Sequence, residues 1–451
     1  MIRRAVDLFT FVTAFCRHRW GYRFKNRQAL LDHQQRQVAR ARRRRWDKFK
    51  YYAARRACAW DEIPVVGKEE TLDSFAEFNR YGISLQAARA HAFEAERSRD
   101  FRPTLPGYIS VGSSSGTSGS PSFFLVSQRE RMLWAGAMLG RMLSSSCLRR
   151  MLNPFGRPLR IAFFLRANNN LYTALHSTRI QFVFFDLAAS LESHRVALSN
   201  FKPDILVAPA SVLGYLAEWQ HNGRIGISPQ QVISVAERLE DDDALAVAAA
   251  WGMLPQQIYQ CTEGFLGHTC AFGSLHLNEE WVLFEPQWQD GEKCRFTAVI
   301  TDLQRRSQSF IRHRMDDVLQ INPTPCACGR VTLRLESIEG RQDEVLWLPA
   351  VDSDSLKPIF PDQVRRALML ALSSCGDYRL EQRGPRLALS VRNSASKAGD
   401  LSLMESALRT LCEVLAVRMP AVDHIDWTEP SGVEKRRRIR CLSPPYVREP
   451  A

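Results

Sequence analysis

Three short segments carry residue types that could handle a nucleotide, and a fourth set could hold a metal. Val111-Gly-Ser-Ser-Ser-Gly-Thr-Ser-Gly-Ser-Pro121 combines three glycines with hydroxyl side chains after an apolar run. Glycine lets several backbone N–H groups converge on one anion, and Ser114, Ser115, Thr117 and Ser118 add donors around Gly116 and Gly119. The loop suits a triphosphate. The same composition also makes a flexible linker, although a linker is out of place between apolar segments in mid-domain. In Tyr259-Gln-Cys-Thr262-Glu263-Gly264 the carboxylate of Glu263 is a hard oxygen ligand for Mg²⁺, and Thr262 offers a hydroxyl to phosphate. Taken alone, this hexapeptide serves equally as a surface turn. The third segment, Phe310-Ile-Arg-His-Arg-Met-Asp-Asp317, sets two carboxylates beside arginines, which by itself is as much an ion-pair cluster as a site. The fourth set is Cys270, His276, Cys326 and Cys328: three thiolates and an imidazole are a ligand set for tetrahedral Zn²⁺, with no position left for water, so such a site is structural. Reduced cysteines beside a hydrogen-bonded histidine are the alternative.

The elements that must position these residues read as α/β. Residues 1–100 look mainly helical, broken at Ile63-Pro64 and Gly67. Beyond Tyr108, short apolar runs at 160–165, 180–185, 204–208, 231–235 and 257–259 alternate with helical stretches, the pattern of buried strands in an α/β domain. Tyr259 to Glu263 then falls at the carboxyl end of a strand, where such sheets bind ligands. After Gly340 the pattern changes to a helix at 361–373, a strand at 386–391, a helix at 401–419 and a strand near 422–427, enough for a small α+β domain. A basic tail at 434–440 and loose Pro-rich residues follow.

A chain of 451 residues exceeds what one core usually serves. The expected division is a basic helical arm at 1–60, a large domain at 61–341 and a small domain at 342–451. Hydrophobic content of 45% and charged content of 24% exclude a disordered chain. Eleven scattered cysteines fit reduced thiols, the longest early apolar stretch is too short to cross a bilayer, and no secretory cleavage pattern follows it, so a cytoplasmic protein is expected. The formal charge of +13 is concentrated at the start: residues 1–60 hold 17 Lys/Arg against 3 Asp/Glu. This arm, densest at Arg40 to Lys50, is suited to a solvated helix face, to peripheral contact with anionic lipid or to an acidic partner protein; no nucleic-acid partner is expected, because no aromatic or zinc-knuckle pattern accompanies it.

In this order and spacing, the segments resemble the adenylate-forming superfamily of acyl-CoA synthetases, luciferases and peptide-synthetase adenylation domains. The resemblance matches the Ser/Thr/Gly loop to the phosphate loop and Tyr259 to Glu263 to the aromatic-x-x-Thr-Glu motif. It matches Asp317 to the ribose-binding aspartate, Arg341 to a ribose-contacting arginine and Asp343 to the hinge residue. Ile63-Pro-Val-Val-Gly-Lys68, Ser122 after the loop proline, Phe310-Ile-Arg-His-Arg and Gly340-Arg-Gln-Asp-Glu are similar to the phenylacetate-CoA ligase branch and its deazaflavin-coenzyme synthetase relatives. In that branch Ser234-Val-Ala-Glu237 lines the adenine pocket, which makes Glu237 a cofactor-site candidate, and some members carry a structural zinc.

The resemblance implies a large multi-sheet domain with a small mobile α+β lid, using ATP and Mg²⁺ to convert a carboxylic acid to its acyl-AMP. The lid then turns about Asp343 to admit the thiol of coenzyme A or of an acyl carrier protein. One departure is plain. The superfamily's C-terminal catalytic lysine follows a glycine, whereas here Ser431-Gly432 precede Val433, so the role falls to Lys435 or to no lysine. The rivals are an adenylyltransferase that leaves AMP on its substrate and a non-catalytic scaffold of the same fold.

Overall fold

Residue alternation within the central strands explains how the larger part of the chain is layered. In β3 (Leu159–Leu165), β5 (Ile205–Ala208) and β6 (Gln231–Ser234), Ala162, Phe164, Leu206, Ala208 and Val232 pack under the helices Ala210–His221 and Asp241–Trp251. Ile161, Phe163, Ile205, Val207 and Ile233, one residue out of phase, face a cavity on the other side of the sheet. Side chains on a strand alternate faces, so a run apolar at every position buries both.

The computed structural model describes residues 2–113, 122–165, 177–187, 189–341, 344–369, 377–392, 397–428 and 437–443. The chain divides into two compact units: Met1–Cys294, Ala298–Met315 and Ile321–Ser337 form the larger, and Arg295–Thr297, Asp316–Gln320 and Ile338–Ala451 the smaller.

The larger unit opens with a hairpin of β1 (Ile109–Ser113) and β2 (Phe123–Ser127), in which Ser113 pairs with Phe123. Its parallel strands are β3, β4 (Ile180–Asp186), β5, β6 and β7 (Gln256–Gln260). Antiparallel β8 (Phe265–Thr269) and β9 (Leu275–Leu277) extend the sheet from β7. With β10 (Val282–Trp288), β11 (Arg295–Asp302), β12 (His313–Ile321) and β13 (Arg334–Arg341), the order is β10-β11-β12-β13-β9-β8-β7-β6-β5-β3-β4, eleven strands in all.

Residues 1–60 belong to this unit. The helix Ile2–Cys16 packs on the helix Gln128–Met142, and Gly136 and Gly140 make the contact possible. A Cβ on Gly136 would lie 2.5 Å from the Phe11 carbonyl oxygen, and one on Gly140 2.8 Å from that of Phe15. The helix Arg27–Arg44 is strapped to the sheet by Arg27, bidentate to Glu279 at 2.5 and 2.6 Å, and by Gln34, which donates to the Glu279 carbonyl at 2.8 Å. No helix among the described residues is long and apolar enough to cross a membrane.

The smaller unit contains a hairpin of β14 (Leu346–Pro349) and β15 (Leu356–Ile359) and a four-stranded sheet. That sheet comprises β16 (Tyr378–Arg383), β17 (Arg386–Val391), β18 (Ala421–His424) and β19 (Ile439–Ser443), in the order β18-β17-β16-β19. The helices Pro361–Met369 and Lys397–Val414 share its core with Leu380, Leu389 and Ile439. The segment read as a basic tail contributes a strand: Ile439 is buried and Ile439–Ser443 pairs parallel with β16, because alternating Ile439 and Cys441 face the core that the surrounding basic residues disguise. The residues expected to be loose, from Pro444 on, lie outside the described residues.

Candidate active site

Chain order brings Thr262 and Glu263 to the carboxyl end of β7, in a tight turn closed by reciprocal backbone hydrogen bonds between Cys261 and Gly264 at 3.1 and 3.3 Å. Gly264 is required there, since a Cβ would sit 2.8 Å from a carboxylate oxygen of Asp302. Burial raises the pKa of Asp302, with Arg305 opposing, and Asp302 accepts from the N–H groups of Gln304 and Arg305 at 2.6 and 3.1 Å. The Glu263 carboxylate lies 3.7 Å from Nε2 of His313, whose Nδ1 is 3.5 Å from the Thr71 hydroxyl. His313 stands within the Phe310–Asp317 segment, and no local pattern shows that it meets Glu263, which is distant in the chain and follows a strand, β7, that is not a neighbour of β12 in the sheet.

Thr262, Cys261, Gly264, Gln304 and Arg305 line a cavity of about 620 Å³, open mouth included. It adjoins an apolar cavity of about 730 Å³, measured likewise and lined by Met138, Met142, Ile161, Phe163, Val207 and Ile258 among others. Trp134 and Gln260 belong to both linings, and the indole N–H donates to the Gln260 side-chain oxygen at 3.0 Å. The helix Gln128–Met142 thus turns one face to the cavities and another to the helix Ile2–Cys16.

Glu130 fixes that helix. Its buried carboxylate closes a capping box with Ser127 and accepts from the N–H groups of Ser127 (2.9 Å), Arg306 (2.6 Å) and Ser307 (3.0 Å) and from the hydroxyls of Ser127 (2.6 Å) and Ser307. Burial alone would raise its pKa; the Arg305 charge and these donors outweigh burial and hold it below the usual carboxylate range.

The other expected site residues divide by position. Ser114, Ser115, Gly116, Thr117, Ser118 and Gly119 lie outside the described residues, and the strands that carry them are β1 and β2. Tyr259 is buried in β7 against Gly267. Glu237 accepts from the backbone N–H and the hydroxyl of Ser211 at 3.1 and 2.7 Å, which anchors the start of the helix Ala210–His221. In the smaller unit, Asp317 lies on β12 and the backbone of Arg341 ends β13, while Asp343 and Lys435 lie outside the described residues. Gly340 has φ +133°, and a Cβ there would strike the Glu344 carboxylate, which pairs with Arg365 and Arg437 at 3.0 and 3.1 Å.

Cys270, His276, Cys326 and Cys328 converge, with all ligand atoms within 4.8 Å of one another. The Sγ atoms of Cys270 and Cys326 are 3.7 Å apart, and Sγ of Cys328 lies 3.4 Å from Nε2 of His276. Zinc–ligand bonds of about 2.3 Å to sulfur and about 2.0 Å to nitrogen, arranged tetrahedrally, require separations of about 3.8 and about 3.5 Å. Nδ1 of His276 lies 3.3 and 3.2 Å from the carbonyl and hydroxyl of Thr332, which turns Nε2 toward the sulfurs as metal-binding histidines require. Burial opposes ionisation of Cys326, but hydrogen bonds from Ser274, the Cys328 N–H and His276 draw its thiol down to about 6. The neighbouring Asn278, Glu279 and Glu280 are buried structural partners: Asn278 meets His268 at 2.8 Å, and Glu280 pairs with Arg141 at 2.6 Å.

Solved structures of 2-hydroxyisobutyryl-CoA ligase are similar to this chain. The structure in the postadenylation state with R3-HIB-AMP gives a TM-score of 0.62 at 17% identity, covering 92% of this chain and 89% of that one. The postadenylation complex with 2-HIB-AMP gives 0.61 at 18% over 93% and 89%, and the open conformation with 2-HIB-AMP and CoA gives 0.53 at 18% over 92% and 91%. No protein-family model and no curated protein sequence matches. The fold is therefore that of the adenylate-forming ligases, an α/β domain followed by a separate C-terminal unit.

Proposed function

We propose that this chain is an ATP-consuming, AMP-forming ligase that activates an apolar carboxylic acid, aryl or medium-sized acyl, and passes it to the thiol of coenzyme A or of a carrier protein, as in the phenylacetate-CoA ligase branch. The observation that carries the reading is the junction of two cavities at Trp134 and Gln260. One has Thr262, Gln304 and Arg305 among its lining residues, and the other is lined almost wholly by apolar side chains. An acid whose tail occupies the apolar cavity presents its carboxylate toward Thr262. The carboxylate oxygen attacks the α-phosphorus, and the bond to pyrophosphate breaks. A carboxylate is already a nucleophile, so no base is needed, and the residues act by position and charge. Glu263, a hard oxygen donor steadied by His313, would hold Mg²⁺, which supplies positive charge to the phosphate oxygens. Asp317 and Arg341 would hold the ribose, with Tyr259 and Glu237 toward the adenine, and the 114–119 loop the phosphates. A thiolate then attacks the acyl carbon and AMP leaves, with Asp343 as the pivot and Lys435 serving the first step. The Cys270, His276, Cys326 and Cys328 set would hold a structural Zn²⁺, for which the sulfur and nitrogen spacings are the support.

Acid-dependent exchange of labelled pyrophosphate into ATP, screened over aryl and fatty acids, tests the reading. Exchange with apolar acids and AMP release on adding a thiol are expected. A flat panel refutes it, and AMP retained on the product identifies an adenylyltransferase.

A further inference from the structure

We propose that the outward face of the helix Ile2–Cys16 docks the protein on a membrane surface rich in anionic lipid. This helix has two apolar sides. Thr10, Ala14 and Phe15 are buried against the body of the larger unit, and Asp7 is held by Gln128 at 3.2 Å. The opposite side is formed by Ala5, Val6, Leu8, Phe9, Val12 and Cys16, with Thr13 among them, and every one of these is exposed. Phe9 is 71% exposed, Leu8 63%, Val6 52% and Val12 45%. At 100° per residue they span about half the helix circumference without a charge. Surface helices of soluble proteins place charged and polar residues on that side. Contiguous apolar exposure of this kind marks an interaction surface.

The charge beside the face selects the occupant. Arg17, Trp20, Arg23 and Lys25, which follow directly, are all exposed, and residues 1–60 carry 17 Lys/Arg against 3 Asp/Glu. A second copy of the chain would pair through a two-fold contact that sets this positive segment against itself. An anionic bilayer meets it with opposite charge, accepts Leu8, Phe9 and Val12 at the acyl boundary and seats Trp20 at headgroup level. The rigid backing needed for such a face is present, because the Gly136 and Gly140 contacts hold the helix against its neighbour.

That neighbour, Gln128–Met142, lines the apolar cavity with Met138 and Met142. Docking would set the cavity two helix layers, about 20 Å, from the lipid, which favours an acid that concentrates at the bilayer. This last consequence rests on the functional reading above; docking does not.

The test is flotation of the full-length protein with vesicles of phosphatidylethanolamine and phosphatidylglycerol (3:1), compared with phosphatidylcholine alone, at 50 and 500 mM salt. Anionic vesicles are expected to carry the protein at least tenfold better than neutral ones at low salt. Phe9→Glu and Leu8→Glu should each reduce binding at least tenfold, and Arg17→Glu several-fold, with far-ultraviolet circular dichroism and thermal midpoint unchanged. Absence of vesicle binding, or binding indifferent to Phe9→Glu, overturns the proposal. Self-association abolished by Phe9→Glu in the absence of lipid would assign the face to a second copy instead. Pyrophosphate exchange with a water-soluble acid should be unchanged in Phe9→Glu, so loss of docking and loss of the ligase reading are separate results.

Discussion

Glu130→Gln isolates the network that fixes the helix lining both cavities. One carboxylate oxygen accepts the N–H groups of Arg306 and Ser307, and the other accepts the Ser127 N–H and the two serine hydroxyls. A glutamine amide placed with nitrogen at the first position faces two N–H donors. Turned over, it faces one, because hydroxyls can rotate to accept. The cheaper orientation leaves one buried N–H opposed, a cost of about 1–3 kcal/mol. The remaining bonds lose their charge assistance, roughly half their strength, which adds about 1–2 kcal/mol. A loss of about 2–5 kcal/mol follows, measurable as a lower urea midpoint of the larger unit with unchanged slope. The sign with pH is set by the depressed folded pKa of Glu130. Its contribution is present above the unfolded value of about 4.3 and is lost as pH falls through the folded value, so the gap between native protein and variant should narrow below about pH 4. A loss under about 1 kcal/mol would refute the reasoning, because an unsatisfied buried donor costs at least that much.

Elemental analysis should find about one zinc per chain, lost in Cys326→Ser together with a lower thermal midpoint; a well-folded metal-free preparation removes the site. Glu263→Gln should lower pyrophosphate exchange about 10²–10³-fold, as removal of one group that stabilises transition-state charge does, and should raise the Mg²⁺ needed for half-maximal exchange. Unaltered Mg²⁺ dependence contradicts its assignment. Met142→Trp should shift the exchange profile toward shorter acids, and an unchanged profile would place the acid elsewhere. Burial first, then Arg141, lowers the pKa of both His18 and His268 well below the usual imidazole value. Stability should thus be full above about pH 6.5 and fall below it, by about 1.4 kcal/mol per pH unit for each histidine; urea midpoints at pH 7, 6 and 5 check this, and a flat profile would show that the rings are already protonated.

The parallel strands were legible because β3, β5 and β6 are apolar at successive positions, and Thr262-Glu263 fell at a strand end as expected. The grouping of Cys270, His276, Cys326 and Cys328 was legible from residue type alone, although the sequence could not show that Cys328 faces His276. Strands β8 to β13 were missed: their runs mix in polar residues such as His268 and His276, and Glu279, just past β9, finds its partners Arg27 and Gln34 about 250 residues away. β19 was missed because Arg437, Arg438 and Arg440 mask its alternation, while Arg437 and Arg438 are in fact paired with Glu344 and Asp377. Glu130 and His313 left no local signal, since each acts through a partner distant in the chain.

Trp134 and Gln260 form a single partition with a cavity on either side. On the proposed reading, laboratory evolution toward a new acid cannot remodel this partition for one tenant alone. Variants that gain a bulkier substrate by trimming Trp134 would also release the Gln260 side-chain oxygen that the indole N–H holds, so altered nucleotide KM should be co-selected with altered acid preference, and a second substitution on the β7 turn will be needed to uncouple them.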